Sequence, residues 1–255
     1  MNKLEGISKG KKSSINLPDA KRIWIICVVV GALFWLIALG LWWQEGIDEA
    51  VLFYFDAPRV AYTPFIALSQ WASSYGMAAI TSLFVIYRLA SFKLKALDAP
   101  LTIYFYTICS YGLSGILGDL LKFLFARPRP ITTYGNQILV YSQSATPAIP
   151  SGHATKSVAL ILPFLLLVSG SKNIHKIIKI VIVVIASGVC FSRIALGAHY
   201  VSDVLAGIGM ALIGLPLSML FANMVLRKAS RDQLKRLSII WTILLVVLTA
   251  IFMAL

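Results

Sequence analysis

The chain is 255 residues long, 59% of them apolar or aromatic and only 13% charged, with a formal net charge of +13. That balance lies far outside the range of water-soluble domains and places the chain in a bilayer. Nucleic acid is not expected as a partner, because no basic platform interleaved with aromatic residues accompanies the charge.

Apolar runs long enough to cross about 30 Å of hydrocarbon predict helices near 23–43, 74–92, 101–125, 155–170, 177–195, 203–226 and 237–255. The fold class is therefore all-α, a polytopic membrane bundle, with the 155–170 span on the short side. Residues 1–22 form a basic cytoplasmic tail and residues 23–255 one membrane-embedded domain. The first apolar run exceeds the core of a signal peptide, and Trp42, Trp43, Gln44 and Glu45 follow it in place of a small-residue cleavage site. It is expected to be a retained anchor. Next, residues 44–73 mix Asp48, Glu49 and Asp56 with Phe53, Tyr54, Phe55, Tyr62, Phe65 and Trp71, the composition of helices lying in the membrane interface. A second long connection, 126–152, opens on Pro128 and Pro130, which stop the preceding helix by removing amide donors.

Most of the 23 basic residues fall in the N-terminal tail and in the connections after the second, fourth and sixth runs. Those segments alternate onto one side, which the positive-inside rule makes cytoplasmic. The charge is a topology signal, with contact to anionic membrane lipids in addition. Cys27, Cys109 and Cys190 stand alone inside apolar runs and are expected to be small core residues.

Ionisable residues at the edges of membrane spans are functional candidates by default. Here they fall into three clusters, KFLFARPRP (122–130), PSGH (150–153) and SRIALGAHYVSD (192–203), and the topology puts all three on the outward face. Lys122 and Arg193 close outgoing helices, and Arg129 follows in the loop. Ser151, Gly152 and His153 open the fourth helix and His199 the sixth, so free backbone N–H groups point at the same region. Converging cations and helix N-termini suit a phosphate monoester, whose oxygens match the fork of an arginine. Gly152 allows close backbone approach. His199 and Asp203 are four apart on one helical face, so the carboxylate can hold one ring nitrogen's proton while the other presents a lone pair. His199 is then a nucleophile with its orienter, and His153 the general acid for the leaving oxygen.

These clusters match the K-x6-R-P, P-S-G-H and S-R-x5-H-x3-D motifs, and the chain thereby resembles the type 2 phosphatidic acid phosphatase (PAP2) superfamily, in its membrane lipid phosphatase branch. The resemblance implies a phosphohistidine on His199, with His153 acting as acid and then as base toward water. It also implies a phosphate site of Lys122, Arg129, Ser151, Gly152 and Arg193, and a six-helix core with the site at the outer membrane face. The last apolar run is expected as an additional C-terminal helix outside that core.

Arg127 and Lys156 lie near the site but outside the motifs, and are candidates for headgroup contact or for mere interface charge. Asp119, three residues before Lys122, is expected in a structural ion pair. His175 is read as an ordinary loop histidine on the cytoplasmic side. No metal and no cofactor are expected, because few free carboxylates and no His/Cys set stand on the outward side.

The expected function is hydrolysis of a lipid phosphate or diphosphate whose tails stay in the bilayer. Phosphatidate-like lipids, phosphatidylglycerophosphate, prenyl diphosphates and lipid A all qualify, and oligomeric state is left open. A phosphotransferase using the same phosphohistidine is the alternative. A non-catalytic lipid-binding or transport protein is disfavoured, since no repeat is apparent and most polar residues sit at one membrane edge. The expected location is a bacterial inner membrane, N-terminus inside and site on the periplasmic face.

Overall fold

The computed structural model describes residues 17–44, 46–93, 103–141, 144–168, 173–226 and 230–254. These residues form helices α1 (Leu17–Gln44), α2 (Gly46–Tyr54), α3 (Asp56–Val60), α4 (Pro64–Lys93), α5 (Ile103–Phe125), α6 (Pro130–Tyr134), α7 (Gly152–Leu167), α8 (Asn173–Ala195), α9 (Val201–Leu226) and α10 (Arg231–Ala254). No strand occurs among them. Most of the basic tail, and the connections 94–102 and 227–229 that were expected to carry cytoplasmic charge, lie outside the described residues.

Each of the expected apolar runs contains a long helix over its described residues, and α7 is the short one at 16 residues, ending at Leu167. The main difference is in the connection that follows α1, where α4 begins at Pro64, ahead of its apolar run. Proline suits a first helical position, and the Thr63 hydroxyl accepts the Ile66 N–H at 3.4 Å, a cap for that first turn. The segment expected in the membrane interface thus holds α2 and α3 followed by an aromatic first stretch of α4. Tyr54, Tyr62 and Trp71 on it are all half or more exposed.

α1 runs along α9, α4 along α8, and α5 lies against both α7 and α9. The α1–α9 contact is close because Gly31 and Gly209 face each other. A Cβ on Gly31 would stand 2.8 Å from the Gly209 carbonyl oxygen, and one on Gly209 2.7 Å from that of Gly31. Met77, Ile80, Phe84, Leu160, Phe164 and Ile182 fill the space between α4, α7 and α8. α10 packs on α4 and α5, with Trp241 stacked on Phe105 at 4.2 Å and Thr81 hydrogen-bonded to Thr249 at 3.0 Å.

Large apolar side chains point outward in numbers that water would not tolerate: Leu36 is 65% exposed and Phe123 and Leu124 are each 75% exposed. They face lipid. Helices α1, α5, α8 and α9 are long and apolar enough to cross a membrane, and the chain is a multi-pass membrane protein. All of the cysteines are buried and free.

His175 differs from expectation. α8 starts before its apolar run, so His175 sits in the first helical turn, buried, with a ring nitrogen 3.2 Å from the Tyr87 hydroxyl. A packed histidine of this kind needs a polar partner, and Tyr87 provides it.

Candidate active site

Four helix ends meet at one end of the bundle: the C-termini of α5 and α8 and the N-termini of α7 and α9. The α8–α9 turn, residues 196–200, is tight. Gly197 takes a positive φ of 71°, the left-handed geometry that glycine tolerates after a helix. The Arg193 carbonyl then accepts N–H groups from both Ala198 and His199 at 3.1 Å. This fold-back sets His199 beside the end of the helix that carries Arg193.

His199 is buried, and both ring nitrogens are engaged. Nδ1 lies 3.3 Å from Asp203 Oδ2 and Nε2 lies 3.3 Å from Arg129 Nη1. A guanidinium can only donate, so for the Arg129 contact to be a hydrogen bond Nε2 has to accept, which sets the ring proton on Nδ1, facing the carboxylate. Burial, and then the fields of Arg129, Arg193 and Lys122, hold the His199 pKa well below the usual histidine value, while the Ala148 carbonyl works in the other direction. That shift favours the neutral imidazole, and in the Nδ1-protonated tautomer the Nε2 lone pair faces Arg129.

Asp203 is fully buried and its carboxylate is shared. Oδ2 also accepts the Tyr200 N–H at 2.9 Å, which caps the first turn of α9. Oδ1 receives Arg127 Nη1 at 2.7 Å. Arg127 in turn reaches Asp48 of α2 at 2.9 Å through Nη2, and its guanidinium lies 4.0 Å from the Tyr200 ring centroid and 5.2 Å from that of Trp42. Arg127, a candidate for headgroup contact on sequence grounds, is instead buried behind Asp203 with its donors turned inward.

Arg129 stands at the Nε2 side, and Arg193 and Lys122 act on the same ring. α5 ends where Ala126 adopts a φ of 46°, and Arg129 caps α6 ahead of Pro130 at its first position. Arg129 is then fixed by the Thr146 carbonyl at 2.7 Å and the Thr146 hydroxyl at 3.0 Å. Arg193 is buried and donates to the Ser73 hydroxyl of α4. Lys122 Nζ would lie 3.4 Å from a Cβ at Gly152, so this glycine brings the backbone at the start of α7 against the ammonium group. His153, part-buried, is within electrostatic reach of Arg193, His199, Lys156 and Lys122.

The Ser151 N–H donates to the Asp203 carbonyl at 2.9 Å, which ties α7 to α9, while its buried hydroxyl has no hydrogen-bond partner. A buried hydroxyl in that state is suited to an anion's oxygen. Asp119 pairs with Lys122 at 3.6 Å, as expected, and with Lys156 at 3.4 Å. Among the described residues no group of three or more His, Cys, Asp or Glu side chains gathers as a metal set would.

Asp48, Ser202, Thr146 and Ser73 were not singled out in the sequence. Ser202 stands next to Asp203 and belongs to the third cluster, so position alone marked it. The Asp48–Ser202 contact spans 154 residues, and Arg193–Ser73 spans 120. No local pattern announces either one.

Residues 100–227 match the PAP2 superfamily. Among solved structures, the chain is similar to the crystal structure of a transmembrane PAP2-type phosphatidylglycerolphosphate phosphatase from Bacillus subtilis. The two share 21% identity over 80% of this chain and 98% of that one, at a TM-score of 0.55, a likeness of fold. No curated protein matches the chain.

Proposed function

The chain belongs to the PAP2 superfamily, and from that membership and the geometry around His199 we propose that it is a lipid phosphate phosphatase working through a phosphohistidine. The observation that carries this reading is the placement of one ring: His199 Nδ1 lies 3.3 Å from Asp203 Oδ2 and Nε2 lies 3.3 Å from Arg129 Nη1, which suits a neutral imidazole protonated on Nδ1.

Arg129, Arg193, Lys122 and the Ser151 hydroxyl would bind the non-bridging oxygens of a phosphate ester. Such a group carries between one and two negative charges near neutral pH, and the same countercharge lets His153 hold a proton. The Nε2 lone pair attacks phosphorus as the bond to the ester oxygen breaks, and His153 gives its proton to that leaving oxygen. The ring now carries a phosphoryl group on Nε2 and keeps its proton on Nδ1, where Asp203 balances the positive charge. Water then attacks phosphorus, His153 takes a proton from it, the N–P bond breaks and inorganic phosphate leaves. No step uses a metal.

The substrate class is a phosphate monoester or diphosphate of a lipid whose tails stay in the bilayer. Phosphatidylglycerophosphate, one of the candidates named from the sequence, gains support from the similar Bacillus subtilis protein, a phosphatase of that lipid. The proposed orientation sets the site at the periplasmic face of a bacterial inner membrane.

The test is phosphate release by the purified full chain from phosphatidate, phosphatidylglycerophosphate, a prenyl diphosphate and lipid A in mixed micelles, with and without excess chelator. Release from at least one lipid, unchanged by chelator and abolished in His199→Ala, is expected. Transfer of the phosphoryl group to an acceptor lipid with no free phosphate would make the chain a transferase. Full activity in His199→Ala would remove the nucleophile.

A further inference from the structure

Arg127 is 5% exposed and stands on the side of Asp203 opposite His199. Its Nη1 binds Asp203 Oδ1 at 2.7 Å and Ser202 Oγ at 2.5 Å, and its Nη2 binds Asp48 Oδ2 at 2.9 Å. Asp48 is itself 1% exposed; it accepts the Ser202 N–H at 3.0 Å and the Ser202 hydroxyl as well. The guanidinium carbon also lies 4.0 Å from the Tyr200 ring centroid and 5.2 Å from that of Trp42. A guanidinium with carboxylates on two sides and aromatic faces against it has one orientation open to it.

We propose that Arg127, held in place by Asp48, is a positioning residue for His199: it keeps Asp203 ionised, so that the imidazole proton stays on Nδ1 and the lone pair on Nε2. This rests on the proposed phosphohistidine chemistry for its catalytic meaning, but the proton's position is measurable without turnover.

A carboxylate with no exposure needs a cation or it takes up a proton. Arg129 is the other positive group near Asp203, yet its hydrogen bonds go to Thr146, the Ala198 carbonyl and His199 itself. Without Arg127, a protonated Asp203 becomes a donor. It then gives a hydrogen bond to Nδ1, which has to be the unprotonated nitrogen, and the ring proton moves to Nε2. A lone pair no longer faces the phosphate site. Asp48 contributes from outside the motif region: as part of α2 it ties the interfacial segment to the first turn of α9 and fixes the second nitrogen of the fork.

The experiment is 15N-imidazole NMR of the full chain in lipid nanodiscs. The chain has only three histidines, so single substitutions assign the signals. Wild type is expected to show a protonated Nδ1 and an unprotonated Nε2 at His199. In Arg127→Met the His199 ring is expected to invert to the Nε2-protonated form, with kcat lowered about 100-fold and KM within about 3-fold. Arg127→Lys, which keeps the charge, is expected to restore the wild-type tautomer and most of kcat. Asp48→Asn, which keeps the shape and removes the anchor's charge, is expected to show both tautomers and to lose about 10-fold in kcat.

A folded Arg127→Met that retains the wild-type tautomer and kcat overturns the proposal. Should that variant not fold, Asp48→Asn decides by the same two readouts, and wild-type values in both overturn it. If wild type and variants show the expected tautomers while no phosphorylated lipid is hydrolysed, the positioning relation holds and the phosphatase reading fails.

Discussion

Gly207 lies on α9 one turn beyond Asp203, and its Cα presses on the start of α7. A Cβ there would stand 2.7 Å from the Ser151 carbonyl oxygen, 3.0 Å from Ala154 Cβ and 3.2 Å from the Thr155 nitrogen. None of these atoms is the end of a flexible side chain. Ordinary contact begins near 3.4 Å, so by the difference from 2.7 Å the Ser151 carbonyl has to retreat by about 0.7 Å in Gly207→Ala. That carbonyl anchors the first turn of α7 by accepting both the N–H and the hydroxyl of Thr155, at 2.9 and 3.0 Å. Its displacement carries Gly152 and His153 away from His199. Overpacking costs about 1–3 kcal/mol, and a catalytic group misplaced by roughly 1 Å costs about 100-fold in rate. A fall in kcat of about 10- to 100-fold is expected, with the fold intact. The assay is phosphate release in mixed micelles alongside thermal unfolding, with Gly112→Ala as control, since nothing lies within 4 Å of a Cβ there. Wild-type kcat in Gly207→Ala, with the control equally active, would refute the idea that this helix crossing sets the distance between the two imidazoles.

Ser151→Ala is expected to move two readouts in opposite directions. Losing a phosphate donor lowers kcat/KM about 10-fold, while removing a buried hydroxyl without a partner raises stability by about 1 kcal/mol; a lowered Tm would contradict this. Arg193→Lys keeps the charge and loses the planar fork, so a drop of about 10-fold in kcat/KM is expected, and unchanged kinetics would show that the fork is not used. At pH 6 an ordinary histidine with a pKa of about 6.5 is roughly three-quarters protonated, whereas His199, its pKa lowered by burial and three cations, is expected to remain neutral in 15N spectra. Below about pH 6.5 the unfolded chain binds a proton that the folded His199 refuses, so this residue withdraws stability as the pH falls and contributes nothing near pH 8. A His199 midpoint at the ordinary value would contradict the electrostatics described here.

Hydrophobic run length located the long helices because lipid demands internally satisfied backbone over a fixed thickness, and that demand is written locally. His199 and Asp203 were legible for a similar reason: four residues on a helix is a distance known before any tertiary structure. Lys122, Arg129 and Ser151 to His153 were legible as clusters at helix ends. Asp48 was not, since an acidic residue early in an amphipathic interfacial helix looks like a charge facing water, and only the arrival of α9 turns it into a buried partner of Ser202 and Arg127. Arg127 itself sat between motif positions with nothing to say which way it pointed. His175 was misjudged because its burial depends on Tyr87, from a helix far away in the chain.

The central claim is a covalent bond between phosphorus and Nε2 of residue 199, and the direct measurement is rapid-quench labelling with a 32P-phosphorylated lipid. Label is expected on the peptide containing His199, stable to base and lost in acid as a phosphoramidate is, absent in His199→Ala, and longer-lived in His153→Ala if the leaving group needs no proton. Phosphate release at wild-type rate with no acid-labile label on that peptide, under conditions where turnover is slowed enough to trap it, would contradict the account.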